Sequence, residues 1–171
     1  MTADPATPLR ECHHRIRLYC AGLQRMMALP DLSDPRVPRS AAQAARYFGE
    51  GLRLHAADED HSYAPRLRAA VPGAAALLDG LAADHAQAEA DLAALLPQLE
   101  RLAAGEVLAR DPFVAAAGPF CEGLLTHITA EEDALFPLLL QLSPADLLAI
   151  DGERAARRRA SPEAPARWSP A

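Results

Sequence analysis

Four long stretches of this chain carry apolar residues at alternating three- and four-residue steps, and each stripe includes one histidine. The first reads Leu9, His13, Ile16, Cys20, Leu23, Met27, and the second Phe48, Leu52, His55, Glu59, Ser62. The third reads Leu78, Leu81, His85, Ala88, Leu92, Leu95, Leu99, Leu102, and the fourth Phe120, Leu124, His127, Glu131, Ala134, Leu138. Such spacing makes one side of an α-helix apolar, so four helices must bury their stripes against one another. The expected fold is all-α, an up-and-down four-helix bundle. Composition agrees: half of the 171 residues are hydrophobic but only 5% are aromatic. Alanine and leucine lead the helix scale, while the aromatic and β-branched residues that favour sheets are scarce. A chain of this length can bury a core as one domain.

Proline, glycine and serine mark the expected boundaries. The first helix should span about residues 7–29, followed by the proline-rich break ALPDLSDPRVPRS, with Ser40 as N-cap of the second helix. VPGA (residues 71–74) and AAGEVLARDP (residues 103–112) are the next connections, and Pro97 is expected to kink or interrupt the third helix. The fourth should run over about residues 112–142. SPADLLAI then opens a short extra helix, capped by Ser143 with Pro144 in its first position. The bundle thus occupies residues 7–142 and a peripheral C-terminal helix residues 143–160. Residues 1–6 are expected to be a flexible N-terminus and residues 161–171 a disordered tail.

Several function classes are disfavoured. A net charge of −6 argues against nucleic acid, and the basic cluster RAARRRA reads as the last turn of a helix. No apolar run approaches the roughly 18 residues of a membrane span. The N-terminus MTADPATPLR has no basic flank or apolar stretch, so no signal peptide is expected. Cys12, Cys20 and Cys121 form no CxxC and read as small core residues of a reducing, cytoplasmic protein. No Ser/His/Asp set, glycine-rich phosphate loop or zinc-finger spacing is evident.

The chemistry lies in a repeat. HAADEDHSYAP (residues 55–65) and HITAEEDALFP (residues 127–137) align His55 with His127, Glu59 with Glu131, Asp60 with Glu132 and Pro65 with Pro137. Residues four apart share a helix face, so each HxxxE pair can aim an imidazole and a carboxylate at one point. Burying an unpaired polar group costs about 1–3 kcal/mol, and a lone carboxylate far more. A metal removes the difficulty by turning these groups into ligands. A mixed histidine and carboxylate set suits iron and is compatible with manganese or zinc. Two carboxylates from opposite helices could bridge two ions.

His85 is also followed by a glutamate, Glu89, for which a solvated surface pair stands beside ligation. In the first helix His13 lies on the stripe, whereas His14 points about 100° away. Glu11 and His14 make a ferritin-type ExxH, but no second copy follows. His61 lies off the stripe, which suits a surface role. Tyr63 is expected to seal the bundle end, and Pro65 and Pro137 to kink or end their helices just past the site.

These segments resemble the hemerythrin-like (HHE cation-binding) domain family over about residues 9–142. ECHHRIRLYC is similar to the family's first-helix motif, HAADEDHSYAPRL and HITAEEDALFPLL to its second and fourth, and SPADLLAI to the segment that often follows. The resemblance implies two non-haem irons bound by His13, His55, His85 and His127, with Glu59 and Glu131 bridging. Oxygen-carrying hemerythrins differ in two ways: their third helix has HxxxH, and their fourth places its carboxylate five residues after the histidine, here Glu132. Both differences point toward proteins that bind or sense oxygen or nitric oxide, or handle iron. The partner would then be a small diatomic ligand or oxidant. Two other classes stand beside that one: a di-iron redox enzyme reducing peroxide, and a helical interaction module whose histidines are satisfied core residues. Oligomeric state is left open.

Overall fold

The computed structural model describes residues 4–161 and, among them, shows helices and no strand. Residues 1–3 and most of the expected tail, 162–171, lie outside the described residues. The first long segment is α1 (Thr7–Met27), opened by the Asp4 side chain accepting the Ala6 N–H at 3.0 Å. Pro8 in its first turn costs no hydrogen bond, because helix-start N–H groups lack intrahelical partners. Ala6 is buried at the entry to this helix.

The second segment is broken into α2 (Val37–Arg46), α3 (Arg53–Asp58) and α4 (Ala64–Ala70), joined by π-helical turns Tyr47–Leu52 and Glu59–Tyr63. The third is α5 (Ala75–Ala103). The fourth comprises α6 (Arg110–Ala130), a π-turn Glu131–Leu135 and α7 (Phe136–Leu139). After these four segments comes α8 (Pro144–Ala160). The segments pack as a helical bundle: α1 lies on α2 and α6, and α5 on α2 and α6.

Two apolar clusters occupy the ends of this bundle. One joins Ile16, Leu23, Phe48, Leu95, Phe113 and Ile128; the other joins Leu9, Tyr63, Leu67, Leu78, Leu139 and Ile150. In all four segments the stripe histidine falls between residues of the first cluster and residues of the second. The sequence therefore sandwiches one polar layer between two dry ones.

Several boundaries differ from expectation for local reasons. The second segment begins at Val37, not at a Ser40 cap: Asp34 accepts the Arg36 N–H at 2.8 Å, and Pro38 presets the first turn. Pro97 does not interrupt α5, which runs unbroken through it. Its ring faces outward, and buried Leu92, Leu95, Leu99 and Leu102 hold the helix on both sides. Met26 rather than Met27 completes the α1 stripe. Beyond Glu131 the core positions are Leu135 and Leu139 instead of Ala134 and Leu138. The π-turn absorbs one extra residue and so moves the inward face on by one position.

The expected cap of α8 forms as a capping box. The Ser143 hydroxyl accepts the Asp146 N–H at 3.1 Å, and Asp146 accepts the Ser143 N–H at 3.2 Å. Ser143→Ala is expected to cost about 1 kcal/mol, read as a lower urea midpoint at unchanged slope.

Candidate metal centre

Each repeat places its glutamate at the start of a π-turn. The Ala64 N–H bonds to the Glu59 carbonyl and the Phe136 N–H to the Glu131 carbonyl, five residues back in both cases. The next residue in each copy is proline, Pro65 or Pro137. A proline has no N–H and its ring clashes with the carbonyl four residues earlier, so a widened turn relieves the conflict. Of the two outcomes expected for these prolines, neither ends its bundle segment; each distorts it, through the π-turn that carries the carboxylate.

The six side chains expected to ligate come together in the buried layer. His13, His55, Glu59, His127 and Glu131 are each at most 4% exposed, and the His85 side chain 9%. Glu131 is central: its oxygens lie 3.0 Å from His13 Nε2, 3.2 Å from His127 Nε2 and 4.0 Å from His55 Nε2. Glu59 lies 3.1 Å from His85 Nε2 and 3.5 Å from His55 Nδ1. Short as these separations are, none is aligned as a hydrogen bond. The Nε2 atoms of all four histidines and all four glutamate oxygens are left without a partner. Buried polar atoms are normally satisfied, so a convergent set of orphans needs a reason.

The donors form two overlapping groups: His13, His55, Glu59 and Glu131, and Glu59, His85, His127 and Glu131. Within each, the offered atoms lie within 4.8 Å of one another, and both groups share Glu59 and Glu131. A cation in either group would meet two imidazole nitrogens and two carboxylates. That mixed set fits a divalent transition metal.

Three histidines are oriented from outside. His13 Nδ1 lies 2.9 Å from Glu132, His85 Nδ1 3.0 Å from Asp60, and His127 Nδ1 3.2 Å from Asp84. An ionised carboxylate only accepts, so each Nδ1 donates outward and Nε2 is the nitrogen turned inward, the one free to ligate when a metal takes the place of a proton. Arg17 in turn grips Glu132 with two contacts of 2.8 Å. Asp60 and Glu132 are equivalent positions of the repeat, and both serve as these outer acids. Phe136 stacks on His13 at 5.1 Å and covers that side.

Burying these groups together sets their electrostatics. Burial pushes the His55 imidazole down to about 3, so it is neutral and free to ligate. Burial and the neighbouring Glu131 push the Glu59 carboxyl well above its ordinary range. Burial works the same way on Glu131, but His127 and His13 beside it outweigh that and hold it well below.

Among the residues weighed at the sequence level, His14 and His61 are exposed, and Cys12, Cys20 and Cys121 are buried free thiols. Glu89 is outside the site: its side chain is 74% exposed and faces Arg53 at 4.0 Å. Sequence reasoning missed Asp58, which is 1% exposed and receives Arg154, Arg157 and Arg158 of α8 at 2.7–3.2 Å. The basic cluster therefore does more than decorate a helix end. It docks α8 onto the residue directly before Glu59, one turn from His55. The only advance signal was an acid directly before the HxxxE glutamate.

No helix among the described residues is long and apolar enough to cross a membrane. No curated protein matches the chain closely enough to be counted as a relative. A family model does match, described as the hemerythrin HHE cation binding domain, over residues 4–146. That span includes all four histidine-bearing segments and every residue of the two donor groups. The chain thus belongs to the hemerythrin HHE cation-binding domain family, whose domains bind metal ions in a helical fold.

Proposed function

We propose that this protein holds two non-haem iron ions bridged by Glu59 and Glu131, and uses them to bind or sense oxygen or nitric oxide, or to hold iron. The observation that carries this reading is the sharing of both glutamates between two donor groups whose inward atoms have no other partner. Two cations fit that pattern better than one, because a single ion would leave two histidines unpaired. Iron suits the two-nitrogen, two-carboxylate sets; manganese or zinc would use the same donors. The bundle order supports the up-and-down arrangement, since successive segments run alternately from one apolar cluster to the other.

His13, His55, His85 and His127 would supply one neutral nitrogen each, and the outer acids Glu132, Asp60 and Asp84 would keep three rings in register. The irons would supply redox-active positions for a small ligand. The residues themselves exclude water and hold charge balance. A second reading, reduction of peroxide by the same centre, is favoured by one feature: His85 and His127 line an open cavity. A metal-free interaction module would have to leave eight inward donor atoms unsatisfied, an expensive arrangement.

The deciding experiment is metal content with an absorption spectrum after anaerobic iron(II) loading and again in air. About two irons per chain with new near-ultraviolet charge-transfer bands supports the proposal. No uptake of iron sinks it. A stable adduct with oxygen or nitric oxide indicates a binder, and catalytic consumption of peroxide an enzyme. Glu59→Gln gives a further check. It should abolish full metal loading yet raise the stability of the chelated protein by about 1 kcal/mol, because burial and Glu131 hold the Glu59 carboxyl protonated at neutral pH, where the unfolded chain ionises it freely, and Gln has no such charge to give up.

A further inference from the structure

We propose that Cys20 and Cys121 form a peroxide-reactive dithiol, which a hydroperoxide converts into a disulfide tying α1 to α6. The Cys121 sulfur lies 3.9 Å from the Cys20 carbonyl oxygen, so its side chain is turned onto α1 at that residue. Both residues are buried, at 0% and 2% exposure, where α1 packs along α6. The two thiols also hydrogen-bond to each other. A disulfide joins Cα atoms no more than about 7 Å apart, which on two packed helices only facing residues satisfy. Cys12 cannot take either place. It lies eight residues before Cys20 on the same helix, about 12 Å along the axis, and its sulfur sits 3.5 Å from Arg15. The three cysteines are therefore one pair and one single thiol.

The two sulfurs are not equivalent. Cys121 belongs to the wall of an open groove of about 490 Å³, with Gln24, Met27, Gly118 and Glu122, and Cys20 does not. Gly118, one turn before Cys121, has no side chain, and a Cβ there would meet nothing within 4 Å. A small solute can therefore approach Cys121 from that side. The hydrogen bond from Cys20 holds the Cys121 thiol below its ordinary range, while the same bond, with burial, pushes Cys20 up. The thiolate is the nucleophile, so Cys121 reacts first. Its sulfur bonds to one peroxide oxygen as the O–O bond breaks, giving a sulfenic acid, and the hydroxide released takes the thiol's proton to become water. The Cys20 sulfur then attacks the Cys121 sulfur. The S–S bond forms, and the sulfenic oxygen leaves as a second water with the Cys20 proton. Two thiols and one hydrogen peroxide thus give one disulfide and two waters, the peroxide taking the two electrons. The pair stands clear of the donor layer. Cys20 is seven residues after His13 and Cys121 six before His127, about 10 Å along their helices.

None of this depends on the metal centre, so the test uses the full chain both as purified and after chelation. Native protein receives a small excess of hydrogen peroxide, free thiols are counted, and unreduced peptides are mapped by mass spectrometry. Two of the three thiols should disappear, with Cys20 joined to Cys121 within one chain and Cys12 still free. The link closes 121 − 20 = 101 residues of chain. It should raise the melting temperature by about 10 °C, and dithiothreitol should reverse the rise. In Cys20→Ala the first product cannot be resolved, so dimedone should trap a sulfenic acid at Cys121. In Cys121→Ala no dimedone adduct should form at Cys20. Survival of all three thiols, a link that includes Cys12 or a second chain, or an adduct at Cys20 in place of Cys121 would each overturn the inference.

Discussion

Glu131→Ala should empty both cation positions at once, leaving close to zero metal per chain, whereas His85→Ala should retain about one ion. The difference follows from where the two side chains sit. Glu131 belongs to both donor groups and lies within 3.0–4.0 Å of three histidines, while His85 belongs to one group only. Losing His85 leaves His13, His55, Glu59 and Glu131 complete. Losing Glu131 removes a carboxylate from each position and half of the negative charge facing the cations. Metal analysis of the two purified variants, with circular dichroism to confirm the helices, is the measurement. Equal losses from both would show that the glutamate is not shared.

Loss of a ligand should also be felt as loss of stability. A metal that binds only the folded state adds about 4 kcal/mol at a thousand times its dissociation constant. Chelation of the wild type should therefore lower its melting temperature, and chelation of Glu131→Ala should leave the melting temperature where it was.

The second large effect is expected at Asp58. Asp58→Ala should destabilise the protein by about 3 kcal/mol, or a fall of about 6–12 °C in melting temperature for a chain of this size. Its carboxylate is buried and accepts from Arg154, Arg157 and Arg158 across the junction of α8 with the second segment. Breaking a buried charge pair usually costs about 3–5 kcal/mol. The lower end applies here, because the three arginine side chains are 13–34% exposed and can turn toward water. Arg159→Ala is the control: that side chain is exposed and makes no contact with Asp58, so its loss should stay within about 0.5 kcal/mol. If Asp58→Ala melts like the control, α8 is held by Ile150 and its apolar neighbours instead.

The stripes were readable because a buried helix face must repeat every three or four residues, and a ligand aimed into the bundle must sit on that face. That is why His13 was separable from His14, and why Glu59 and Glu131 stood out by register. Glu89 shows the limit. It keeps the same four-residue spacing from His85 as Glu59 from His55, yet it points to solvent. The difference lies in tertiary placement: α5 runs between the two apolar clusters in the opposite sense to the segments of Glu59 and Glu131, so four residues after its histidine Glu89 lies at the surface beside Arg53. Spacing alone does not distinguish those cases.

The sequence by itself determined the helical class, the four segments, the polar layer between two apolar ends and the six histidines and glutamates that meet in it, because periodicity and local repeat encode all of these. Only the tertiary structure decided which acids orient the histidines, since Asp84 reaches His127 and Glu132 reaches His13 across different helices. It also decided that α8 clamps onto Asp58, and that Cys121 of α6 lies against Cys20 of α1. Those features depend on how separate helices align along their axes and rotate about them. Distance in the chain carries no record of that, and pairings such as Asp58 with Arg158 exist only once the bundle has closed.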